Sequence, residues 1–589
     1  MKKIMAVAML LFVFMMSICE ANKGETITAD TVVYGTIFTA EKENAGLAEA
    51  FAVKDGKFVY VGDRSGAKAY IKKGVTKLID NTGKGLIIPA CTEGHGHFVG
   101  IDALMKMLPG LNYNYDQLLA ELKAEMNSKD KPKYFLSWGL DYMKFMLEID
   151  PDKSYAEEIE AIAPGVPVVF IDSCGHQALC NTTALRKAGF LDGKEIKGGV
   201  MLRNKKGEPS GWINDILVPY VLANSLDLST IEQSTFEQAC KNAVNTLHKR
   251  GFTNYFDAYI NFLSDDAFLA SIKKLDEAGE LGANIGSCHA IRRFDFDVYK
   301  EKIDNVKLLA EKYQSKHFDP FNIKLFADGV VEAGTGWIFG EYPNAEKGKE
   351  HGNIEWSQEE LNQIVKYANS KGILVHTHAF GDAAVNAVIN AYINANDELK
   401  ANYRNTLAHV RNITEEDKQR AAKNEIYISE NLIWHCNDTP DDDKFDAEFE
   451  LFNSRTPEGM YEAGYPMKSL TDLGIVVSSS TDAPCAEAIE GNIMNIIEVA
   501  TTGMDPSVKT RPFTPKELLT VREALECLTI NGARQMGIAD KSGSIKTGKN
   551  ADFVILDTNF LDYKGAKLRT IHNVKIKNLY FEGKNVYEN

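Results

Sequence analysis

A repeating pattern of short apolar segments, each followed by a helical pattern, limits the fold of this chain more than any other feature. Seven such segments recur between residues 251 and 484, and an eighth, LIIPACTEGHGH, begins at Leu86. Strands and helices that alternate at this spacing predict eight parallel βα units closed into a (β/α)8 barrel of the TIM type. The seven later segments are GFTNYFDA, ANIGSCHA, FNIKLFADG, GILVHTHAFGD, NTLAHV, EIYISENL and GIVVSSSTDAP.

Both ends of the chain have a different pattern. Residues 22–86 and 541–589 contain segments such as AFAVKDGKFVYVGD and VKIKNLYFEGKNVY, which alternate apolar and polar residues as half-buried strands do. We expect the two ends to form one composite β-sandwich domain, flanking a barrel over residues 87–540. The α/β-like stretch from about 101 to 245 is predicted to be an insertion after barrel strand 1.

The N-terminus resembles an export signal. Lys2 and Lys3 precede an apolar run from Ile4 to Ile18, which is too short to span a membrane comfortably. Residues 1–21 are therefore predicted to be a signal peptide, removed after Ala21, or alternatively cut so that Cys19 carries a lipid. Either outcome places the protein in a bacterial periplasm or cell envelope, attached to the membrane only if Cys19 is lipidated.

Composition limits the partners and the redox chemistry. The formal net charge of −16 argues against binding to nucleic acid, and a charged fraction of 25% is typical of a soluble globular protein. The nine cysteines contain no CxxC pair, and most of them are expected to be buried free thiols. Cys174 and Cys180 are close enough for a disulfide, and the sequence does not decide whether they form one.

Polar side chains occur where the predicted barrel strands end. The two imidazoles of the GHGH stretch lie two residues apart on an extended segment and therefore point to one side, as two ligands of a metal ion must. Because active sites of such barrels lie at the C-terminal ends of the strands, these side chains are expected to converge at one mouth. They are His95 and His97 on strand 1, Lys324 on strand 4, His376 and His378 on strand 5, His409 on strand 6 and Asp482 on strand 8.

The ordered set of motifs resembles one family. LIIPACTEGHGHF, IKLFADG, HTHAFGDAAV, LAHV, SSSTDAP and GSIKTGKNADFVILD are similar to stretches of the amidohydrolase superfamily of metal-dependent hydrolases. Within it, the chain resembles the amidohydrolase-3 group, the YtcJ-like proteins, from about residue 28 to the end. One departure is Cys91-Thr92-Glu93-Gly94, where the family usually has a small-Asp-Ala type stretch.

The resemblance implies a role for each polar residue. It implies one or two ions of Zn²⁺ or another divalent metal, with His95 and His97 on one position, and with His378 and His409 on the second. Lys324 matches a lysine that in some family members is carbamylated and bridges two metals. Asp482 would bind metal and transfer the proton of the attacking water. His376 is the alternative strand-5 ligand, and otherwise a residue of the surroundings or the core.

These observations predict a function. The leading hypothesis is an exported hydrolase of a C–N bond, amide or cyclic amide, in a small molecule. An isomerase, hydratase or decarboxylase with the same metal chemistry is the alternative, followed by a non-catalytic envelope binding protein; a homodimer is compatible with each. Predicted contacts with the substrate, in a closed pocket under the insertion, are Trp138, His176, Asp328, Trp434 and His435.

Overall fold

A computed structural model describes residues 27–97, 99, 113–141, 145, 149–173, 175–196, 199–227, 231–260, 265–343, 345, 347–436, 442–484, 491–508 and 511–589. Eight parallel strands form a nearly closed barrel, which confirms the predicted fold class. Strand 8 packs against strand 1, where a Cβ at Gly94 would lie 2.7 Å from the carbonyl oxygen of Ser479, so only glycine allows this approach. In chain order the strands are Cys91–Gly96, Phe252–Asp257, Asn284–Ala290, Phe318–Phe326, Leu374–His378, Thr406–Ala408, Tyr427–Glu430 and Val477–Ser479.

Helices surround the barrel and separate its strands. The helix after strand 4 shows how the sequence starts such a helix. The Ser357 side chain accepts a hydrogen bond from the backbone N–H of Glu360, and the Glu360 side chain accepts one from the backbone N–H of Ser357, which together form a capping box. Leu361, Ile364 and Ala368 then repeat at helical spacing and are buried. The barrel helices are Gln233–Arg250, Asp265–Glu277, Tyr299–Tyr313, Gln358–Ser370, Asp382–Leu399, Glu415–Lys423, Asp442–Arg455, Met467–Asp472, Ile493–Thr502, Val521–Glu526 and Gly532–Gln535.

The two chain ends share one eight-stranded sheet, called the end sheet below. It curls on itself, since the Phe51 and Phe553 rings from opposite ends of the chain meet at 4.9 Å. The segment LIIPACTEGHGH is two strands rather than one, because Leu86–Pro89 pairs within the end sheet and only the residues after it enter the barrel. The end-sheet strands are Thr31–Phe38, Leu47–Lys54, Lys57–Gly62, Lys77–Asp80, Leu86–Pro89, Phe553–Leu556, Ile576–Phe581 and Lys584–Glu588, with helix Arg64–Ala67 beside them.

The region between barrel strand 1 and helix Gln233–Arg250 forms a separate five-stranded sheet. Trp138 and Ile171 of this sheet and Leu222 of a helix beside it line the cavity at the barrel mouth. The insertion therefore covers the end of the barrel where the polar residues were predicted. The strands are Phe135–Leu140, Val168–Asp172, Gln177–Cys180, Val200–Arg203 and Pro209–Asn214. The helices are Tyr115–Met126, Tyr155–Ile162, Thr182–Lys187 and Leu217–Ser225.

A histidine joins the opposite end of the barrel to the end sheet. His317 Nδ1 lies 2.6 Å from Asp276 Oδ1 of a barrel helix, and its Nε2 lies 3.2 Å from Glu582 Oε1 of an end-sheet turn. Burial opposes the charged ring, but the hydrogen bonds to both carboxylates raise the pKa of His317 above its usual value. The protonated ring therefore stabilises the contact between the two units.

Two predictions concern residues outside the described ranges. The signal segment 1–21 with Cys19 is one, and Cys174, half of the candidate disulfide, is the other. Among the described residues, every helix is too short or too polar to cross a bilayer.

Candidate metal centre

A cavity opens at the C-terminal ends of the barrel strands and, together with the solvent space at its mouth, has a volume of about 840 Å³. Six of the predicted residues lie together at its inner end, and residues of the insertion form the opposite wall. The six are His95, His97, Lys324, His378, His409 and Asp482.

The Asp482 carboxylate lies among three imidazoles. Its Oδ1 is 3.0 Å from His97 Nε2 and 3.4 Å from His95 Nε2, and its Oδ2 is 3.9 Å from His409 Nε2. Ligand atoms of His95, His409 and Asp482 all lie within 4.8 Å of one another, as a shared metal ion requires. These three side chains come from strands 1, 6 and 8, so the closed barrel brings them together.

The backbone is strained at two of these positions. His409 has a φ of 67° and Asp482 a φ of 53°, in the left-handed region that residues with a Cβ rarely adopt. His409 follows directly on strand 6 and Asp482 lies three residues after the end of strand 8, and the turn of the backbone accompanies the entry of both side chains into the cavity. Strain at two neighbouring polar residues of one cavity is typical of functional sites.

Hydrogen bonds fix which nitrogen of two imidazoles remains free. His378 Nε2 lies 2.9 Å from the carbonyl oxygen of Gly329, and His409 Nδ1 lies 2.5 Å from Asn431 Oδ1. Because both oxygens accept, these nitrogens carry the protons, and the lone pairs remain on His378 Nδ1 and His409 Nε2. Such partners outside a metal site set the tautomer of its histidines.

Burial gives the centre the charge state of a metal site. Burial, and then neighbouring charges, lower the pKa of His95 and His378 well below the usual value, and mainly burial lowers that of His409 to about 4. The imidazoles are therefore neutral near pH 7, with lone pairs available. Burial alone would raise the pKa of Asp482, but His409, His97 and Lys324 outweigh it and lower the pKa, so this carboxyl is ionised. Neutral imidazoles with an ionised carboxylate fit a divalent cation.

Lys324 and His376 both contact His95. Lys324 Nζ lies 3.3 Å from His95 Nε2 and is buried in the cavity floor. His376 Nε2 lies 2.9 Å from His95 Nδ1 but is not among the residues that line the cavity. Of the two strand-5 histidines, His378 is the one that faces the cavity.

The predicted substrate contacts in the insertion lie in the cavity wall. Trp138 lines the cavity and packs so closely on Gly175 that a Cβ there would lie 2.6 Å from the indole. His176 also lines it, 5.1 Å from the His378 ring between centroids, and its Nδ1 lies 3.0 Å from Asp215 Oδ1. The insertion thus brings a paired histidine next to His378 at the inner end of the cavity.

Asp328 borders the cavity, but its carboxylate is occupied by the backbone. It accepts hydrogen bonds from the N–H groups of Trp337 at 2.8 Å, Phe380 at 3.0 Å and Gly381 at 2.8 Å. The first donor lies in the loop after strand 4 and the other two follow strand 5. Asp328 therefore ties two loops of the mouth together.

Trp434 and His435 are not among the residues that line the cavity. The Trp434 indole stacks on His409, with centroids 5.5 Å apart and an angle of 18°, so it supports this histidine from behind. His435 is buried, donates to or accepts from Thr514 Oγ1, and packs near Phe513. Its ring therefore belongs to the packing behind the cavity.

Sequence reasoning missed a buried ion pair in the cavity. Arg292 Nη2 lies 3.1 Å from Glu355 Oε1, and the guanidinium carbon lies 4.0 Å from the centre of the Phe326 ring. Arg292 follows strand 3 and Glu355 precedes the helix after strand 4. Arg292 comes two residues after the end of a predicted strand, and that position was the only signal available.

Comparisons with known proteins agree with this geometry. Residues 77–587 match the model of the amidohydrolase family. The YtcJ protein of Bacillus subtilis is 23% identical over 557 residues, covering 94% of this chain and 98% of its own length. An N-substituted formamide deformylase of Arthrobacter pascens is 22% identical over 581 residues, covering 95% and 98%.

A solved structure shows the same fold. An uncharacterized metal-dependent hydrolase from Pyrococcus horikoshii superposes with a TM-score of 0.66 at 21% identity, covering 91% of this chain and 98% of that one. The match to the family covers most of the chain and agrees with the resemblance of the motifs to the amidohydrolase-3 group. The protein belongs to the amidohydrolase family.

Proposed function

We propose that this protein is an exported hydrolase that cleaves the C–N bond of a small amide or cyclic amide, with Asp482 as general base and then general acid. The observation that carries the proposal is the position of the Asp482 carboxylate, 3.0 to 3.9 Å from three imidazoles at the inner end of a covered cavity. The fold alone would not distinguish a hydrolase from a binding protein.

The residues present fit a divalent metal, and we take Zn²⁺ as the first candidate. His95, His409 and Asp482 would hold one ion, and His97 lies next to the same carboxylate. His378, with its free Nδ1, and Lys324 would serve a second ion. A divalent ion held there supplies a Lewis acid that polarises a carbonyl and makes water nucleophilic near neutral pH.

Lys324 must change its charge to join such a centre. As an ammonium group it donates to His95 Nε2, the nitrogen that a metal would need, and it would repel a cation. Reaction of the neutral amine with CO2, with loss of a proton, gives the same side chain a carbamate, whose two oxygens share one negative charge. We therefore propose that Lys324 is carbamylated in the active enzyme, and intact-protein mass spectrometry under native conditions would detect the added CO2.

Asp482 is placed to transfer protons. Its ionised carboxylate can accept a proton from water at the inner end of the cavity and then donate it to the nitrogen that leaves. The neighbouring His97, at 3.0 Å, holds the carboxylate in place during both steps. A leaving amine must gain this proton, which is why an acid beside the metal position suits cleavage of a C–N bond.

The cavity walls favour a compact, mostly apolar substrate. Trp138, Ile171, Val218 and Leu222 give the insertion side an apolar surface, and Arg292 is paired with Glu355. The full-length relationship to a formamide deformylase supports N-substituted formamides as the first substrates to test.

The test combines metal removal with one substitution. Purified protein is assayed with N-substituted formamides, other N-acyl compounds and cyclic amides, and the masses of the products are measured by mass spectrometry. A chelator should abolish turnover and added Zn²⁺ should restore it. Asp482→Asn should keep metal but lose turnover, whereas the buried Asp417→Asn on an outer helix should keep both.

Two results would contradict the proposal. One is turnover that survives both the chelator and Asp482→Asn. The other is a product whose mass equals that of the substrate, which would assign the site to isomerisation instead.

Export and assembly are part of the same proposal. The basic residues and apolar run at the N-terminus support delivery to a bacterial periplasm or envelope, with a lipid anchor only if Cys19 becomes the first residue. The mass of the mature N-terminal peptide separates cleavage after Ala21 from lipidation. Light scattering of the purified protein tests for a homodimer.

A further inference from the structure

One imidazole of the metal centre has an unusual partner. On strands 5 and 6, His378 and His409 each bond an oxygen atom through the nitrogen that faces away from the centre. His95 on strand 1 instead bonds a second imidazole, that of His376. An oxygen acceptor fixes the proton of its partner by itself, whereas an imidazole nitrogen can either donate or accept. Which of the two nitrogens carries the proton between His95 and His376 therefore depends on the other partners of both rings.

His376 lies one layer below the cavity. It is two residues before His378 on strand 5, so both side chains point into the barrel. Its Nε2 lies 2.9 Å from His95 Nδ1, its ring packs 5.1 Å from the Phe256 ring, and only 2% of the residue is exposed. Because His376 does not line the cavity, it can act on bound metal or substrate only through His95.

The proton positions along this chain of groups are determined. His95 Nε2 lies 3.3 Å from the Lys324 ammonium, to which it must offer a lone pair, and a metal held beside Asp482, 3.4 Å away, would take the same lone pair. A neutral His95 then carries its proton on Nδ1 and donates it to His376 Nε2. The proton of His376 is left on Nδ1, which has no hydrogen-bond partner among the residues described.

We propose that His376 is a positioning residue, which holds the tautomer and ring orientation of His95 through the acceptor nitrogen Nε2. This inference rests on the proposed metal centre, and it adds a residue that does not bind the metal. Barrel interiors are normally filled by branched apolar side chains. A buried N–H without a partner is unfavourable, so filling space does not explain a histidine at this position.

Metal affinity tests this without a known substrate. We compare wild type with His376→Leu, which fills the space but cannot accept, and His376→Gln, whose Oε1 reaches about the position of Nε2. Zn²⁺ affinity is measured by chelator competition, and Co²⁺ absorption reports ligand geometry. His376→Leu should weaken Zn²⁺ binding about 10- to 100-fold, as loss of such a partner typically does. His376→Gln should restore most of the affinity and the wild-type Co²⁺ spectrum.

The control is His289→Leu. His289 is another buried histidine of a barrel strand, and it borders a different cavity near Val298 and Lys302. Its loss should leave Zn²⁺ affinity unchanged. If His376→Leu does not fold, His376→Asn replaces it, because the shorter side chain withdraws the acceptor from His95 while remaining polar.

Each other outcome overturns the inference. Unchanged Zn²⁺ affinity in His376→Leu would make the histidine a core residue. Equal loss in His376→Leu and His376→Gln would mean that the acceptor is not what matters, as for a direct ligand. Equal loss in His289→Leu would show general destabilisation. Failure of wild type itself to bind metal would instead refute the proposed metal centre, so the two failures are distinguishable.

Discussion

Removal of the Asp328 carboxylate should loosen two loops of the cavity mouth rather than remove a contact with the substrate. In Asp328→Ala, the N–H groups of Trp337, Phe380 and Gly381 lose their acceptor together. A buried donor left without a partner costs about 1–3 kcal/mol, and water entering the space of the lost carboxylate keeps the sum near the lower end, about 3 kcal/mol for three donors. The loops should therefore open far more often.

Hydrogen exchange measures this opening directly. Since 1.4 kcal/mol corresponds to a factor of ten, a loss of about 3 kcal/mol should speed exchange of these three amides by about 10²-fold. Peptides that contain Trp337 and Phe380–Gly381 would be followed by mass spectrometry. Asp328→Asn should lie between wild type and alanine, because its remaining oxygen can still accept while its NH2 group faces a donor.

A neighbouring acid provides the matched control. Asp382 accepts a backbone hydrogen bond from Phe339 at 3.0 Å, so Asp382→Ala should speed exchange at Phe339 and leave the three amides bonded to Asp328 slow. The reasoning is refuted if Asp328→Ala exchanges like wild type while KM for a true substrate rises. That result would make Asp328 the substrate contact that the sequence predicts.

Other substitutions separate side chains that face the cavity from those behind it. Trp138→Ala should raise KM, because this indole lines the cavity. Trp434→Ala should leave KM unchanged but weaken metal retention, because this indole stacks on His409 of the proposed centre. If the two variants changed KM and metal retention equally, this distinction would be wrong. Gly175→Ala should also raise KM, since a φ of +81° and a Cβ 2.6 Å from Trp138 would displace the indole, and wild-type kinetics would disprove it. His317→Gln should flatten the pH dependence of urea unfolding: the raised pKa gives stability that is present below pH 6.5 and is lost as pH rises through the folded-state value. If the free energy of unfolding of this variant had the same pH dependence as that of wild type, His317 would not be the source of that dependence.

The barrel and its six polar residues could be predicted because both depend on local pattern. Each strand is a short apolar segment, and the rule that side chains at the C-terminal ends of parallel strands meet then places residues as distant as His95 and Asp482 together. The division of LIIPACTEGHGH between two sheets could not be predicted this way. Leu86–Pro89 and the barrel strand after it are both fully buried and only one residue apart. The first pairs with Phe553–Leu556 from the far end of the chain, whereas the second pairs with the barrel strand Phe252–Asp257.

The outer parts of the site depend on tertiary packing. Trp434 and His435 follow barrel strand 7 and were expected at the mouth, but the 3-10 turn Leu432–Trp434 directs the indole behind His409 and the imidazole toward Thr514. The ion pair of Arg292 with Glu355 joins two loops, and the periodic patterns of the sequence do not indicate which loops meet. Their positions follow from how loops pack on the barrel, which single-sequence patterns do not encode.

The stretch that departs from the family pattern has a structural role at the barrel seam. Glu93 Oε1 accepts hydrogen bonds from the backbone of Thr481 at 2.9 Å and of His95 at 3.3 Å. The Asp482 N–H donates to the His95 carbonyl at 2.8 Å, and the His97 N–H donates to the Ala483 carbonyl at 2.9 Å. Strand 1 and the segment after strand 8 are thus joined on both sides of His95 and Asp482. Backbone hydrogen bonds therefore hold Asp482 and the two histidines of GHGH as one rigid group and leave all three side chains available to the proposed metal centre.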